Sequence, residues 1–181
     1  MKKFVISILI LMFYCGCGEE KIEPQIDHTV DEEEIPNQES WNAEIFLTEE
    51  GKLRAIVFAD HLKKYDSRKM TYLEGMKVDF YNQEEEKTST LTAKFGRVND
   101  DTRDMFAIDS VVAVSDSGTT LTTDELMWRN RDKKISTDKF VTLISKTEKI
   151  EGFGFESDQR LENYIIYNIT YTTNLKEDES K

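Results

Sequence analysis

The chain has 181 residues, 38% of them hydrophobic and 33% charged, with a formal net charge of −12 at pH 7. That length suits one domain with an anchor and a linker, and the acidity argues against non-specific nucleic-acid binding and against a polybasic hold on lipid headgroups. The two cysteines, Cys15 and Cys17, end the first apolar run and the two histidines, His28 and His61, stand far apart, so a disulfide framework, a cysteine zinc site and a Ser-His-Asp triad lack material.

Residues 1–16 read as an export signal. Lys2 and Lys3 give the positive start, and Phe4 to Tyr14 is apolar apart from Ser7. The run is shorter than the roughly 20 apolar residues a spanning helix needs. Gly16-Cys17-Gly18 then resembles the bacterial lipoprotein signal, in which the chain is cut before a cysteine that becomes acylated. Tyr14 and Cys15 depart from the usual leucine and small residue of that signal, and ordinary cleavage or an uncleaved anchor is the alternative. More than one acyl chain on Cys17 would give stable membrane anchoring. Residues 17–40 are acidic and carry Pro24 and Pro36 without apolar periodicity, the pattern of an extended tether.

From Trp41 to Asn174 the pattern is β, with dense Val, Ile, Thr, Tyr and Phe between polar turns such as Asn82-Gln83-Glu84, Asn99-Asp100-Asp101 and Ser157-Asp158. Alternation places Leu91, Ala93 and Phe95 on one face, and likewise Phe106, Ile108, Val112 and Val114. Leu126 pairs with Trp128, and Val141 with Leu143. An apolar-x-small start, a polar turn and a second strand recur about every 30 residues, at Val57, Leu91, Leu121 and Ile150. The first three units carry a third short strand, at Met76 to Tyr81, Val111 to Val114 and Phe140 to Ile144. In the last unit, Gly152-Phe153-Gly154-Phe155 alternates glycine and phenylalanine. Strand geometry puts the two glycines on one face and the two phenylalanines on the other. Glycine inside a strand signals a sharp bend or a close approach, here either a kink or a groove floor kept open for a ligand. Gly154→Arg is then expected to impair ligand transfer more than folding.

The ordered series Leu121 to Trp128, Ile135 to Val141 and Ile150 to Asp158, following a signal and a tether, resembles the LptC family of lipopolysaccharide export, within the wider LptC/LptA/OstA group. The resemblance covers about Trp41 to Tyr171. It implies an all-β fold: an elongated, twisted, open β-jelly roll of antiparallel strands built from repeated short β units, spanning residues 41–175 before a charged tail at 176–181. It also implies a non-enzymatic component, without cofactor or metal. That component takes lipopolysaccharide from the inner-membrane ABC transporter (LptB, LptF and LptG) and passes it to a periplasmic LptA-like jelly roll. Localisation would be periplasmic; many members of the family carry a transmembrane helix, whereas this chain departs from them with a short signal and Cys17, which would anchor it to the inner membrane.

Acyl chains are expected against the alternating apolar faces. The candidates are Val57, Leu91, Ala93, Phe95, Phe106, Ile108, Val112, Val114, Leu126, Trp128, Val141, Leu143, Gly152, Phe153, Gly154, Phe155 and Ile166. The last β segment, with Tyr164, Ile166 and Ile169, reads as an edge that pairs with the partner jelly roll. The competing reading is an acylated envelope scaffold that binds proteins but no lipid. The carboxylates Asp100, Asp101 and Asp104 miss the spacing of a calcium loop and read as a solvated turn.

Overall fold

The computed structural model describes residues 35–175. The export signal, Cys17, most of the tether and the tail at 176–181 lie outside the described residues. Nine strands follow in chain order: β1 (Gln38–Glu49), β2 (Lys52–Tyr65), β3 (Met70–Tyr81), β4 (Lys87–Asn99), β5 (Met105–Ser115), β6 (Thr120–Arg129), β7 (Lys134–Ile144), β8 (Glu148–Ser157) and β9 (Tyr164–Asn174). β1 starts before Trp41, so the tether ends earlier than its composition suggests. Among the described residues no helix is long and apolar enough to cross a membrane.

The turns are built by side chains that satisfy their own loops. Asn82 Oδ1 accepts the N–H groups of Glu84 and Glu86 at 3.0 and 2.8 Å. Asn99 Oδ1 accepts those of Asp101 and Thr102, both at 3.0 Å. The Asp158 carboxylate accepts those of Arg160 and Glu162, both at 3.1 Å. Each turn returns the chain antiparallel to the strand before it, and the result is one nine-stranded sheet in the order β1 to β9. β1 and β9 are its open edges.

The strands are long and bent, not short. Met70–Leu73 and Met76–Tyr81 are two arms of β3, Met105–Ile108 and Val111–Val114 two arms of β5, and Lys134–Thr137 and Phe140–Ile144 two arms of β7. The polar residues that read as breaks between strands are corners within them. The ladder skips Gly75 in β3, and slips between Thr92 and Phe95, Ile108 and Val111, Thr123 and Met127, and Thr137 and Phe140. Left-handed backbone marks the same line at Gly75 (φ 62°), Asp109 (64°), Ser110 (53°) and Gly154 (76°). Such bulges bend a strand and raise its twist, and aligned across a sheet they fold it into two halves.

The halves meet face to face. Phe80 on β3 and Trp128 on β6 are not on neighbouring strands, yet their ring centroids lie 6.2 Å apart. At the side away from the corner, strand ends of the two halves touch. Lys133 Nζ lies 3.6 Å from Glu49, Arg160 lies 3.5 Å from Asp116, and the Tyr164 hydroxyl donates to Glu148 at 2.8 Å. Between them lies one core, which includes Val57, Leu73, Met76, Val78, Leu91, Leu121, Leu126, Val141, Leu143 and Phe155. Large and small residues alternate across it: Phe80 sits over Ser89 and beside Ala55, and Ala113 lies between Leu91 and Leu121. That alternation lets the two layers interdigitate at interior density.

Candidate functional site

Which residues face the interior follows from the corners. Away from a few bulges near strand ends, the strands alternate on either side of their bends, but an irregular bend resets which residues point in. In β4, Leu91 and Ala93 point inward before the corner and Gly96 after it, which turns Phe95 outward. In β8, Gly152 points inward, Gly154 takes the left-handed turn, and Phe155 points inward beyond it. Gly152 and Phe155 therefore share the inner face and Phe153 the outer one, so the expected division of glycines from phenylalanines does not hold.

Of the expected interior residues, Val57, Leu91, Ala93, Leu126, Trp128, Val141, Leu143, Gly152 and Phe155 are buried on the inner face. Phe95, Phe106, Ile108, Val112, Val114 and Phe153 are not there. Phe95 and Phe153 are each 48% exposed, Val114 is exposed, and Phe106, Ile108 and Val112 are half-buried on the outer face. In β5 the inward residues are Met105, Ala107, Val111 and Ala113. The bulkier set was expected inside because it is more apolar. The outer face shelters it instead: Arg97 stacks on the Phe106 ring at 4.5 Å, Phe95 pairs with Ile108, and Phe140 meets Phe153 edge-on at 5.1 Å. Gly154 lies at the corner itself, half-buried. Met76, Val78 and Phe80 were missed as lining residues, although their strict alternation in β3 announces an inward row.

The interior of this conformation is a filled core. Val78, Leu121, Val141 and Leu143 are fully buried, and Phe155 packs against Tyr164 with ring centroids 6.2 Å apart.

The two edges differ in chemistry. β1 carries Glu39, Glu44 and Glu49, and is interrupted by left-handed Asn42 and by a bulge at Leu47/Thr48. These features discourage pairing with a further strand. β9 carries no charged residue between Tyr164 and Asn174. Its inner row, Tyr164, Ile166 and Ile169, continues the core: Ile166 lies opposite Phe155, and Ile169 opposite Gly152. Tyr164 and Ile166 pack against the core, while Ile169 is 57% exposed, since among the described residues no strand covers the outer side of β9. Ile165, Tyr167 and Tyr171 stand exposed on the other side.

The β8–β9 contact also explains Gly152. A Cβ there would lie 2.5 Å from the Asn168 carbonyl oxygen and 2.8 Å from Ile166 Cγ2. The missing side chain is filled by the edge strand itself, which answers the close-approach reading and leaves no open floor at that position.

Two polar groups, Asp79 buried and Tyr164 half-buried, tie the sheet together. Asp79 is nearly enclosed on the outer face, where Lys87, Lys77 and Thr90 bind its carboxylate at 2.8, 3.0 and 2.8 Å. Burial pushes its pKa up, but these three bonds outweigh burial and hold it below the ordinary carboxylate value. Burial, with the hydrogen bond to Glu148, pushes the Tyr164 hydroxyl up to about 12. Among the described residues no group of His, Cys, Asp and Glu is arranged to hold a metal ion.

Comparison with known proteins agrees with this architecture. The family model described as "Lipopolysaccharide-assembly, LptC-related" matches residues 4–173. Among solved structures, the chain is similar to LptH of Pseudomonas aeruginosa, described as the LptA-homologous periplasmic component of the lipopolysaccharide transport device. The TM-score is 0.53 at 10% identity, over 68% of this chain and 94% of that one. At that identity the likeness establishes the jelly-roll fold alone. No curated protein sequence matches.

Proposed function

The chain belongs to the LptC family of lipopolysaccharide-assembly proteins, and we propose from that premise that it is a non-enzymatic lipid carrier of the periplasm. In this reading it accepts lipopolysaccharide from the inner-membrane ABC transporter formed by LptB, LptF and LptG. The acyl chains lie between the two halves of the folded sheet, and the lipid leaves across β9 into an LptA-like jelly roll. Cys17, acylated, holds the chain at the inner membrane.

The observation that supports the reading best is the continuity of the apolar interior with an uncharged edge. The inner row from Val141 through Gly152 reaches Ile169, which is 57% exposed. A strand added to β9 by main-chain hydrogen bonds would extend both the sheet and the apolar corridor beneath it. Burial of acyl chains drives the binding, at about 25 cal/mol per Å² of apolar surface.

One observation favours a second reading. The interior is packed closely enough to serve as an ordinary core, as in an envelope scaffold that binds proteins and no lipid. Site-specific photo-crosslinking separates the two. A crosslinking phenylalanine analogue is placed at Phe155 or Trp128 inside, and at Phe95 outside, in the presence of the transporter, ATP and radiolabelled lipopolysaccharide. The carrier reading expects ATP-dependent adducts at Phe155 and Trp128 and little at Phe95. Equal labelling inside and out, or none inside, favours the scaffold.

A further inference from the structure

We infer that the β6–β7 turn is a subsite for a phosphate group on the headgroup of the lipid carried in the interior. The inference rests on the carrier reading and adds to it a place for the anionic end of the ligand. A chain of net charge −12 is a poor host for a phosphorylated glycolipid unless cations are concentrated where the headgroup lies. Arg129-Asn130-Arg131-Asp132-Lys133-Lys134 sets four cations on six consecutive residues.

The position suits an amphipathic ligand. Trp128, the last inward residue of β6, marks the boundary of the core: its ring faces Phe80 at 6.2 Å on one side, and Lys133 Nζ stands 5.4 Å from the ring centroid. The Trp128 indole N–H is buried and has no hydrogen-bond partner among the described residues. It is a donor at the edge of an apolar interior, directly under a basic turn. A ligand with chains in the core and an acceptor oxygen at this boundary satisfies it.

The cations of the turn are available to different degrees. Arg129 is fixed by Asp132 at 2.9 Å and by Glu156 at 3.7 Å, and Lys134 also pairs with Glu156. Arg131 makes no ion pair among the described residues. Among the described residues Lys133 makes one ion pair, with Glu49 across the mouth between the two halves at 3.6 Å, and donates to Asn130 Oδ1 of its own turn at 2.9 Å. That pair is solvent-exposed and weak, whereas a phosphate offers several charge-assisted bonds at once. If phosphate takes Lys133, Glu49 keeps Arg54 at 3.5 Å. Exchange of carboxylate for phosphate on Lys133 thus releases one contact that closes the mouth without stranding a charge. A second basic stretch, Lys63-Lys64 with Arg68-Lys69, lacks these features: Lys64 lies against Asp66 and Asp100 at 3.4 and 4.0 Å, and Arg68 covers Tyr65.

The test compares binding of bis-phosphorylated lipid A and its dephosphorylated form to the immobilised full chain. The wild type is expected to prefer the phosphorylated form by about tenfold, equivalent to about 1.4 kcal/mol. The preference should shrink with added salt, since the turn is exposed. Arg131→Gln with Lys133→Gln should bring the ratio close to one while leaving affinity for the dephosphorylated lipid unchanged, which also shows that the variant is folded. Arg131→Lys with Lys133→Arg should restore the preference, and Arg68→Gln with Lys69→Gln should not alter it. No preference in the wild type, or an unchanged preference in the Arg131/Lys133 double glutamine variant, overturns the subsite but not the carrier reading. Failure of either lipid to bind overturns both. Saturable binding of inorganic phosphate that lipid A does not displace would assign the turn to a free anion and overturn the headgroup assignment.

Discussion

Gly152→Ala is the sharpest probe of how β9 is held. The added methyl group would sit 2.5 Å from the Asn168 carbonyl oxygen, 2.8 Å from Ile166 Cγ2 and 3.0 Å from Ile169 Cα. Carbon–oxygen contacts in sheets settle near 3.3–3.6 Å, so the edge strand must retreat by roughly 1 Å. Two of the three contacts are backbone atoms, which no rotamer change relieves. Overpacking of this kind costs about 1–3 kcal/mol, and the loss of chain freedom in the unfolded state returns about 0.4–1 kcal/mol. The net loss is about 1–2 kcal/mol, or a melting temperature lower by roughly 4–8 °C for a domain of this size. The strain is local, because among the described residues β9 has β8 as its one neighbouring strand. Hydrogen exchange should therefore accelerate at Ile166 to Tyr171 and stay slow in β3 to β5. An alanine variant that melts with the wild type and keeps β9 protected would refute the close-approach account. Gly154 behaves differently. Its φ of 76° is a left-handed conformation, and an added Cβ would meet the Tyr167 ring at 3.1 Å. A side chain there costs about 1–2 kcal/mol in backbone strain alone, so Gly154→Arg becomes a folding variant first, contrary to the expectation from the sequence.

Three further substitutions separate edge, acid and alkaline effects. Ile169→Lys places a charge on the exposed end of the inner row; it should abolish capture of the LptA-like partner in a pull-down and shift the melting temperature by no more than about 2 °C. Asp79→Asn removes a carboxylate whose pKa is held below normal, so the wild type gains stability from it above about pH 4 and loses it as pH falls through the lower folded value; the variant should be about 1–2 kcal/mol less stable at pH 7 and show a flatter acid limb in urea titrations. Tyr164→Phe removes a hydroxyl whose pKa rises to about 12 on folding. The unfolded chain ionises first, so the wild type loses stability between about pH 10 and 12, and the difference between wild type and variant should narrow across that window.

The strand content and the edge were legible because they rest on composition and short-range alternation. Val141 and Leu143, or Leu126 and Trp128, lie on single arms of bent strands, where the period of two holds without interruption. The inner face was misread wherever a reading crossed a corner. Leu91-x-Ala93-x-Phe95 alternates perfectly as a sequence, yet the slip at Thr92/Phe95 sends Phe95 outward. In β5 the error had another source. Alternation gave two self-consistent faces, and bulk favoured Phe106, Ile108, Val112 and Val114. The folded sheet needs small residues where its halves approach, and Ala107 and Ala113 supply them. A signal was present: Asp109-Ser110, polar residues in the middle of an apolar run, marks the corner, as Gly75 and Gly154 do in their strands. Such residues divide arms of one strand when the segments on both sides pair with the same neighbours, and that pairing is tertiary information.

Under the carrier reading proposed above, the bent strands bear directly on how a filled core would admit a lipid. All eight strand pairings run within the sheet, between sequence neighbours. None of them crosses from one half to the other, so parting the halves breaks no ladder. What holds the mouth is apolar packing, such as Phe80 against Trp128, and a few side-chain bonds such as Glu49–Lys133 and Asp116–Arg160. Exposed pairs of that kind contribute about 0–1 kcal/mol each. The packing contributes more, and it is replaceable. In that reading an acyl chain entering between the halves would restore apolar contact at about 0.8 kcal/mol for each methylene buried, while the backbone bonds stay intact. In a closed barrel, admitting a ligand from the side would require breaking a strand pair. In the carrier reading the line of corners through Gly75, Asp109 and Gly154 serves as the hinge, and the uncharged edge at β9 leaves the far end of the corridor unsealed.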